Sequence, residues 1–343
     1  MTALFQKGKA NRTQSEALCK ILEARAAMDE AVRAYFNNEG FLEVKTPVLV
    51  EHPNLDPNIR PIPVSITDPT GNSRMHWLHT SPELTMKKLL ARGSGSVYQI
   101  TPAFRDEELT KLHRQEFSML EWYRVDADYE DAIRDTIRVI RSVCSAVMDD
   151  EELVFGGRHY DLADQWDEIT MAEAFERYAG VKTLAHDDLL EALEDLNYRV
   201  DPGLTTEDLF FHLYVHSVEP CLGIDAPTII KDYPSFLGTM ARPREDDRHV
   251  LERFEVYIAG LELANGYSEC DDTAELQARM EKVAADLAAD GVAGLTVDDE
   301  FLEAMDDLPA CAGVSVGMDR LAMLVLDAPD ISQVVYPYEE WTT

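Results

Sequence analysis

Two short runs of the chain each offer a carboxylate and a phenol two residues apart: Glu121 with Tyr123, and Tyr267 with Glu269. On a strand, side chains at i and i+2 share a face, so each pair can converge on one cavity. Two Glu and two Tyr around a cavity suit a long side chain with a cationic tip. The carboxylates meet the charge, while the rings cover methylenes and add cation–π attraction. The chemistry expected is recognition of lysine or a close analogue. Glu and Tyr on strands also form ordinary wet surface ladders, so the surrounding elements decide between the readings.

Those elements are legible in the periodicity. Leu18, Ile21, Leu22, Ala26, Met28, Val32 and Phe36 recur at helical spacing, which predicts a helix over 15–38 stopped by Glu39 and Gly40. A strand starting at Phe41 follows, and strands over 97–105 and 116–124 flank a polar loop. Helices are expected at about 128–149, 169–179 and 186–196, and the stretch at about 128–200 reads as a helical insertion. Residues 252–269 predict an antiparallel hairpin turning near Ala259 and Gly260, which sets Glu255 and Glu262 diagonally on one face. Glu262 and Asn265 then have opposite parity, so both face one site only through a bulge near 264–266. A helix over 272–289 precedes a strand from Gly313 that runs into a final helix. This order predicts an α+β fold with a mainly antiparallel sheet flanked by helices. Neither a P-loop sequence nor a G-x-G-x-x-G between strand and helix occurs, so any use of ATP does without those folds.

Composition bounds the partners. The 343 residues carry a formal charge of −34, which repels nucleic acid and anionic membranes outside any local basic patch. Five scattered cysteines with no C-x-x-C pair read as reduced thiols and point to the cytoplasm. No apolar run approaches membrane length.

Three segments resemble the signature motifs of class II aminoacyl-tRNA synthetases, in that family's order. They are the first helix with Gly40 to Pro47; Phe104-Arg105-Asp106-Glu107 followed by His113 and Phe117; and Gly313 to Arg320. Thr80 to Leu84 and the two Glu/Tyr strands make the lysyl branch the best match. The resemblance implies a single catalytic domain over 1–343 that uses ATP and Mg²⁺ to make an aminoacyl-adenylate. The attacking carboxylate is already ionised, so this step needs in-line placement and charge neutralisation rather than a base. By that resemblance, Arg105 grips the α-phosphate and the substrate carboxylate, and Arg320 holds the γ-phosphate. Phe117 and Arg320 sandwich adenine, with Glu107 near its amino group, His113 near the phosphates and Gly317 in the nucleotide site. Glu255 and Glu262 are the implied magnesium ligands. Glu83 would hold the substrate amine, with Glu121, Tyr123, Asn265, Tyr267, Glu269 and Ser315 forming the lysine pocket.

The first of these motifs begins near the N-terminus, so an N-terminal anticodon-binding barrel is not expected, and neither is stable tRNA binding. The chain then resembles the elongation factor P (R)-β-lysine ligases, which transfer the activated amino acid to the ε-amine of a lysine on that protein. Ala264 and Ser315 stand where lysyl synthetases carry glycine. His113-Arg114-Gln115 departs from the family's usual His-Asn-Pro. Lys87, Lys88, Arg92, Lys111 and Arg114 are the basic patch expected to meet the acceptor. The first helix implies a homodimer with its apolar face, residues 18–36, partly buried between subunits. Two other readings stay open. One is a lysyl-synthetase-like core acting on a carrier protein, small amine or tRNA; the other is a binding module without catalysis.

Overall fold

Met28, Val32 and Phe36, one turn apart on α1 (Arg12–Asn38), are buried against the aromatic rings of Tyr98 and Trp122, with Phe36 stacked on Tyr98 at 4.7 Å. A computed structural model of the chain describes residues 12–335 except 149–151, 164, 199–200, 202, 239 and 293. After α1 come β1 (Leu42–Glu43), β2 (Leu49–Val50), β3 (Ile62–Thr67), β4 (Ser73–Leu78) and α2 (Glu83–Ala91). Next are β5 (Val97–Phe104), β6 (Glu116–Val125), α3 (Tyr129–Met148), β7 (Glu152–Phe155) and β8 (Arg158–Asp161). β9 (Asp167–Thr170) leads into α4 (Met171–Ala179), α5 (His186–Asp195) and α6 (Thr206–Leu213). The chain continues through β10 (Thr228–Pro234), β11 (Val250–Ile258), β12 (Leu261–Ser268), α7 (Thr273–Ala289) and α8 (Asp299–Met305). β13 (Cys311–Gly317) and α9 (Met318–Val325) close it.

Eight strands form the main sheet in the order β1-β5-β6-β13-β12-β11-β10-β9, antiparallel except for the outer pairs β1–β5 and β9–β10. The α+β architecture is as the sequence predicts. Leu120, Trp122, Val314, Val316 and Phe254 project to one face, where α1, α3 and α9 cover them. Alternate residues of the same strands project to the other face, which is where the chemistry-bearing side chains lie.

The hairpin of β11 and β12 turns at Ala259 and Gly260, both with positive φ (56° and 76°), the requirement of a two-residue type I′ turn. Its bulge falls at Leu263, between the pairs Val256–Ala264 and Tyr257–Glu262, one position before the expected window. The extra residue reverses the parity of Glu262, so it and Asn265 face the same cavity.

Two expectations change. The stretch at 128–200 is not one insertion: α3 packs into the main core through Ile133, Val139, Ile140 and Val143, and a separate apolar cluster begins only at Ile169. The C-terminal part of the apolar face of α1 (Met28, Val32 and Phe36) is spent within its own chain, whereas Leu18 and Ile21 are partly exposed and Leu22 is 52% exposed. Among the described residues no helix is long and apolar enough to cross a membrane.

Candidate active site

Strand register sets the site out as two rows of side chains. Glu121, Ser315, Asn265 and Glu255 pair in succession across β6, β13, β12 and β11. Tyr123, Gly313, Tyr267 and Arg253 form the adjoining row. Two cavities lie over these rows. The larger, about 400 Å³, is lined by Glu83, Glu121, Tyr123, Tyr267, Glu269 and Ser315, among others. The smaller is lined by His113, Phe117, Ala264, Gly317 and Arg320. Arg105, Met119, Glu262, Asn265 and Ser315 belong to both, so Arg105 and Glu262 stand in the shared wall.

The larger cavity is an acidic, aromatic pocket. Glu121 accepts from Tyr123 Oη and Ser81 Oγ, each at 2.8 Å. Glu83 accepts from Asn54 Nδ2 at 2.8 Å, Lys87 Nζ at 2.6 Å and Tyr267 Oη. Glu269 pairs with Lys87 through Oε2, while its Oε1 is buried without a hydrogen-bond partner. Burial, reinforced by the Glu83 charge, pushes Glu121 up to about 8. Burial also pushes Glu269 up to about 8 against the opposing pull of Lys87. Both phenols are held well above their usual range, so Tyr123 and Tyr267 remain donors. Gly313 makes this approach geometrically allowed, because a Cβ there would lie 2.5 Å from Glu269 Oε1 and closer still to the Tyr123 ring.

The smaller cavity carries the cations. Arg320 donates to the Glu262 carbonyl at 2.8 Å, to its carboxylate at 3.3 Å, and to His113 Nε2 at 2.6 Å. Burial and the neighbouring Arg320 charge lower the His113 pKa, keeping the imidazole neutral. Nε2 is then the acceptor and Nδ1 carries the proton toward Thr110 Oγ1, 2.8 Å away. Arg105 lies over the Phe117 ring at 5.0 Å, and its Nε is buried without a partner.

Glu255 and Glu262 are close enough that, after burial, the Glu262 charge is the main influence raising Glu255. Their hard oxygens suit Mg²⁺. Glu255 is also tied to Arg253 at 2.7 Å and to Tyr257 at 2.9 Å, so its position is fixed from behind. Among the described residues no group of three or more His, Cys, Asp or Glu converges as a metal site. A cation here would therefore rely on two carboxylates and substrate phosphates, the usual way Mg²⁺ is held.

Most of the expected residues come together, with exceptions. Glu107 does not: it takes a positive φ of 62°, points to solvent and pairs with Arg60 at 3.3 Å. Glu83 lines the pocket, but both its oxygens already have protein partners. The expected basic patch largely dissolves. Lys87 is only 1% exposed, and buried Arg114 donates to the carbonyls of Thr110 and His113. Lys88 and Arg92 are both paired with Glu300. Sequence reasoning also missed Lys87 as part of the pocket and Arg253 as the partner of Glu255. Their spacing carried the signal: Lys87 follows Glu83 by four residues on a helix, and Arg253 precedes Glu255 by two on a strand.

Comparison with known proteins agrees with this geometry. Residues 6–339 match the family described as tRNA synthetases class II (D, K and N). A protein of Aquifex aeolicus (strain VF5) named "Elongation factor P--(R)-beta-lysine ligase homolog" is 35% identical over 312 residues, covering 91% of this chain and 97% of that protein.

Proposed function

The chain belongs to the class II tRNA synthetases of the D, K and N group, and from that membership we propose that it activates a lysine-type amino acid with ATP and transfers it to a lysine ε-amine of elongation factor P. The observation that carries the amino-acid assignment is Glu269 Oε1, a buried carboxylate oxygen without a partner in an acidic pocket walled by Tyr123 and Tyr267. The acceptor assignment rests on the name of the Aquifex relative.

In the first step the substrate carboxylate attacks the α-phosphorus of ATP, forming the mixed anhydride and expelling pyrophosphate. Arg105, in the wall between the cavities, can reach both the carboxylate and the α-phosphate, a task for a planar guanidinium. Glu269 and Glu121 receive the distal ammonium while the two rings flank the methylenes. Arg320 and neutral His113 bind along the polyphosphate, and Phe117 offers its face to adenine. Glu255 and Glu262 would hold Mg²⁺, whose chemistry when bound is to neutralise phosphate charge. In the second step the acceptor amine, having lost a proton, attacks the anhydride carbonyl, forms an amide and releases AMP. Ser315, which lines both cavities, is the proposed determinant of an amine displaced from the α to the β carbon; Ala264 lines only the smaller cavity and packs in the main core.

Stable tRNA binding is not part of this reading, given the charge of −34. A homodimer is, formed over the exposed Leu22 (52%) of α1 and Leu42 (57%) of β1; light scattering at micromolar concentration reads it directly. The test of function is pyrophosphate exchange with (R)-β-lysine, α-lysine or no amino acid, followed by mass analysis of elongation factor P. Dependence on a lysine isomer and an acceptor mass gain support the proposal. Exchange without acceptor modification would move the acceptor to another class, and silence with every isomer would overturn the assignment.

A further inference from the structure

Lys87 is a cation built into the pocket that the preceding reading gives to a cationic substrate. It lies on α2 four residues after Glu83 and is 1% exposed. Its ammonium donates to Glu83 Oε1 at 2.6 Å and to Met240 Sδ at 3.6 Å, and it forms an ion pair with Glu269 Oε2. The Tyr123 and Tyr267 rings stand 5.9 and 5.4 Å from it. The two carboxylates keep the ammonium charged in spite of its burial.

The cluster contains three carboxylates, those of Glu83, Glu121 and Glu269, hence six oxygens. Five have protein partners among the described residues, and Lys87 supplies one to Glu83 and the one to Glu269. The sixth, Glu269 Oε1, has none. Lys87 itself does not line the cavity; it stands behind the wall formed by Glu83 and Glu269. Such an ammonium does two things. It screens Glu83 from Glu269, which would otherwise repel one another, and it fixes the rotation of the Glu269 carboxylate so that one oxygen is presented forward.

We propose that Lys87 is a specificity-determining positioning residue, an internal counter-ion that leaves the cluster of Glu83, Glu121 and Glu269 one aimed carboxylate oxygen and a local charge suited to a substrate bearing two ammonium groups. Three carboxylates and one fixed cation leave two negative charges at full ionisation. A diamino acid brings two positive charges, its own carboxylate being met by Arg105. The proposal rests on the lysine-activation reading.

The experiment compares the wild type, Lys87→Met and Lys87→Arg in pyrophosphate exchange, with KM determined separately for the lysine isomer and for ATP. Met is close in shape and uncharged; Arg is larger and keeps the charge. The expected result is a rise of about 30-fold or more in amino-acid KM for K87M, with kcat within about fivefold and ATP KM within about twofold. K87R should stay within about fivefold of wild type. A residue that only fills space predicts the reverse order, with K87M mild and K87R severe, and that result overturns the proposal. Should K87M not fold, K87R decides: amino-acid KM within fivefold supports the charge role, and a 30-fold rise with ATP KM unchanged overturns it. Absence of lysine-dependent exchange in the wild type would instead remove the functional reading itself.

Discussion

Arg25 of α1 forms a 2.6 Å ion pair with Asp319, the residue immediately before Arg320. The other oxygen of Asp319 accepts from the backbone N–H of Ser118, 2.8 Å away and next to Phe117. One guanidinium thus steadies both the strand that bears Phe117 and the helix start that bears Arg320. Removing it leaves a nearly buried carboxylate with half its partners. Arg25→Ala should cost about 1–3 kcal/mol in urea denaturation, less than a fully buried pair because Arg25 is 30% exposed. ATP KM should rise more than amino-acid KM. Unchanged stability together with an unchanged ATP KM would refute the linkage.

Gly313 gives a sharper separation of the two cavities. An alanine Cβ would collide with Glu269 Oε1 and the Tyr123 ring, both confined by burial. Gly313→Ala should raise amino-acid KM at least tenfold while leaving ATP KM within about twofold. An equal rise in both would mean that the two cavities do not divide the substrates.

The pocket predicts a pH dependence with a definite sign. In the free protein Glu121 and Glu269 titrate near 8, against 4.5 for an ordinary Glu. Glu83, Lys87, Tyr123, Tyr267 and Cys311 are the other titratable groups around them. Near pH 7 the empty pocket holds protons that an entering ammonium displaces. Amino-acid KM should therefore fall as pH rises from 6 toward 8 and level off above it. Calorimetry in buffers of different ionisation enthalpy should show proton release on binding. The folded state binds more protons than the unfolded chain between 4.5 and 8, so these two groups favour folding fully below 4.5 and that contribution is lost as pH climbs through 8. A KM that is flat from 6 to 8.5 would contradict this.

Arg105 tests the shared wall. Lysine keeps a charge there but loses the planar fork. Arg105→Lys should lower kcat/KM for exchange by about 100-fold, roughly 3 kcal/mol of transition-state stabilisation, with the folded state intact by circular dichroism. A loss under threefold would place the α-phosphate elsewhere.

Much of this was legible in the chain because it depends on local pattern. Parity placed Glu121 with Tyr123, and Gly260, which tolerates positive φ, marked the turn; Ala259 takes a positive φ there without any such signal in its own type. The rest depended on contacts between distant segments. The bulge at Leu263 moved by one residue because period-2 alternation cannot mark which residue is extra. Lys87 looked like surface charge, since a lysine is rarely fully buried unless carboxylates from elsewhere meet it, and Glu269 lies 182 positions away. Glu107 left the site because its left-handed backbone turns the side chain toward Arg60. The placement of α3 in the main core rather than in an insertion is likewise a matter of which apolar face docks where.

The two rows of side chains across β6, β13, β12 and β11 have a consequence for how such a site changes over time. Neighbouring strands are about 4.8 Å apart, and hydrogen bonds on both sides fix that spacing. The groups Glu121, Ser315, Asn265 and Glu255 therefore occupy set stations along a line that the backbone cannot stretch. A new substrate can be accommodated by exchanging the residue at one station, with the opposite face of each strand and its packing on α1, α3 and α9 untouched. Selectivity and foldability are carried by alternate residues of the same strands, so drift in one leaves the other largely free.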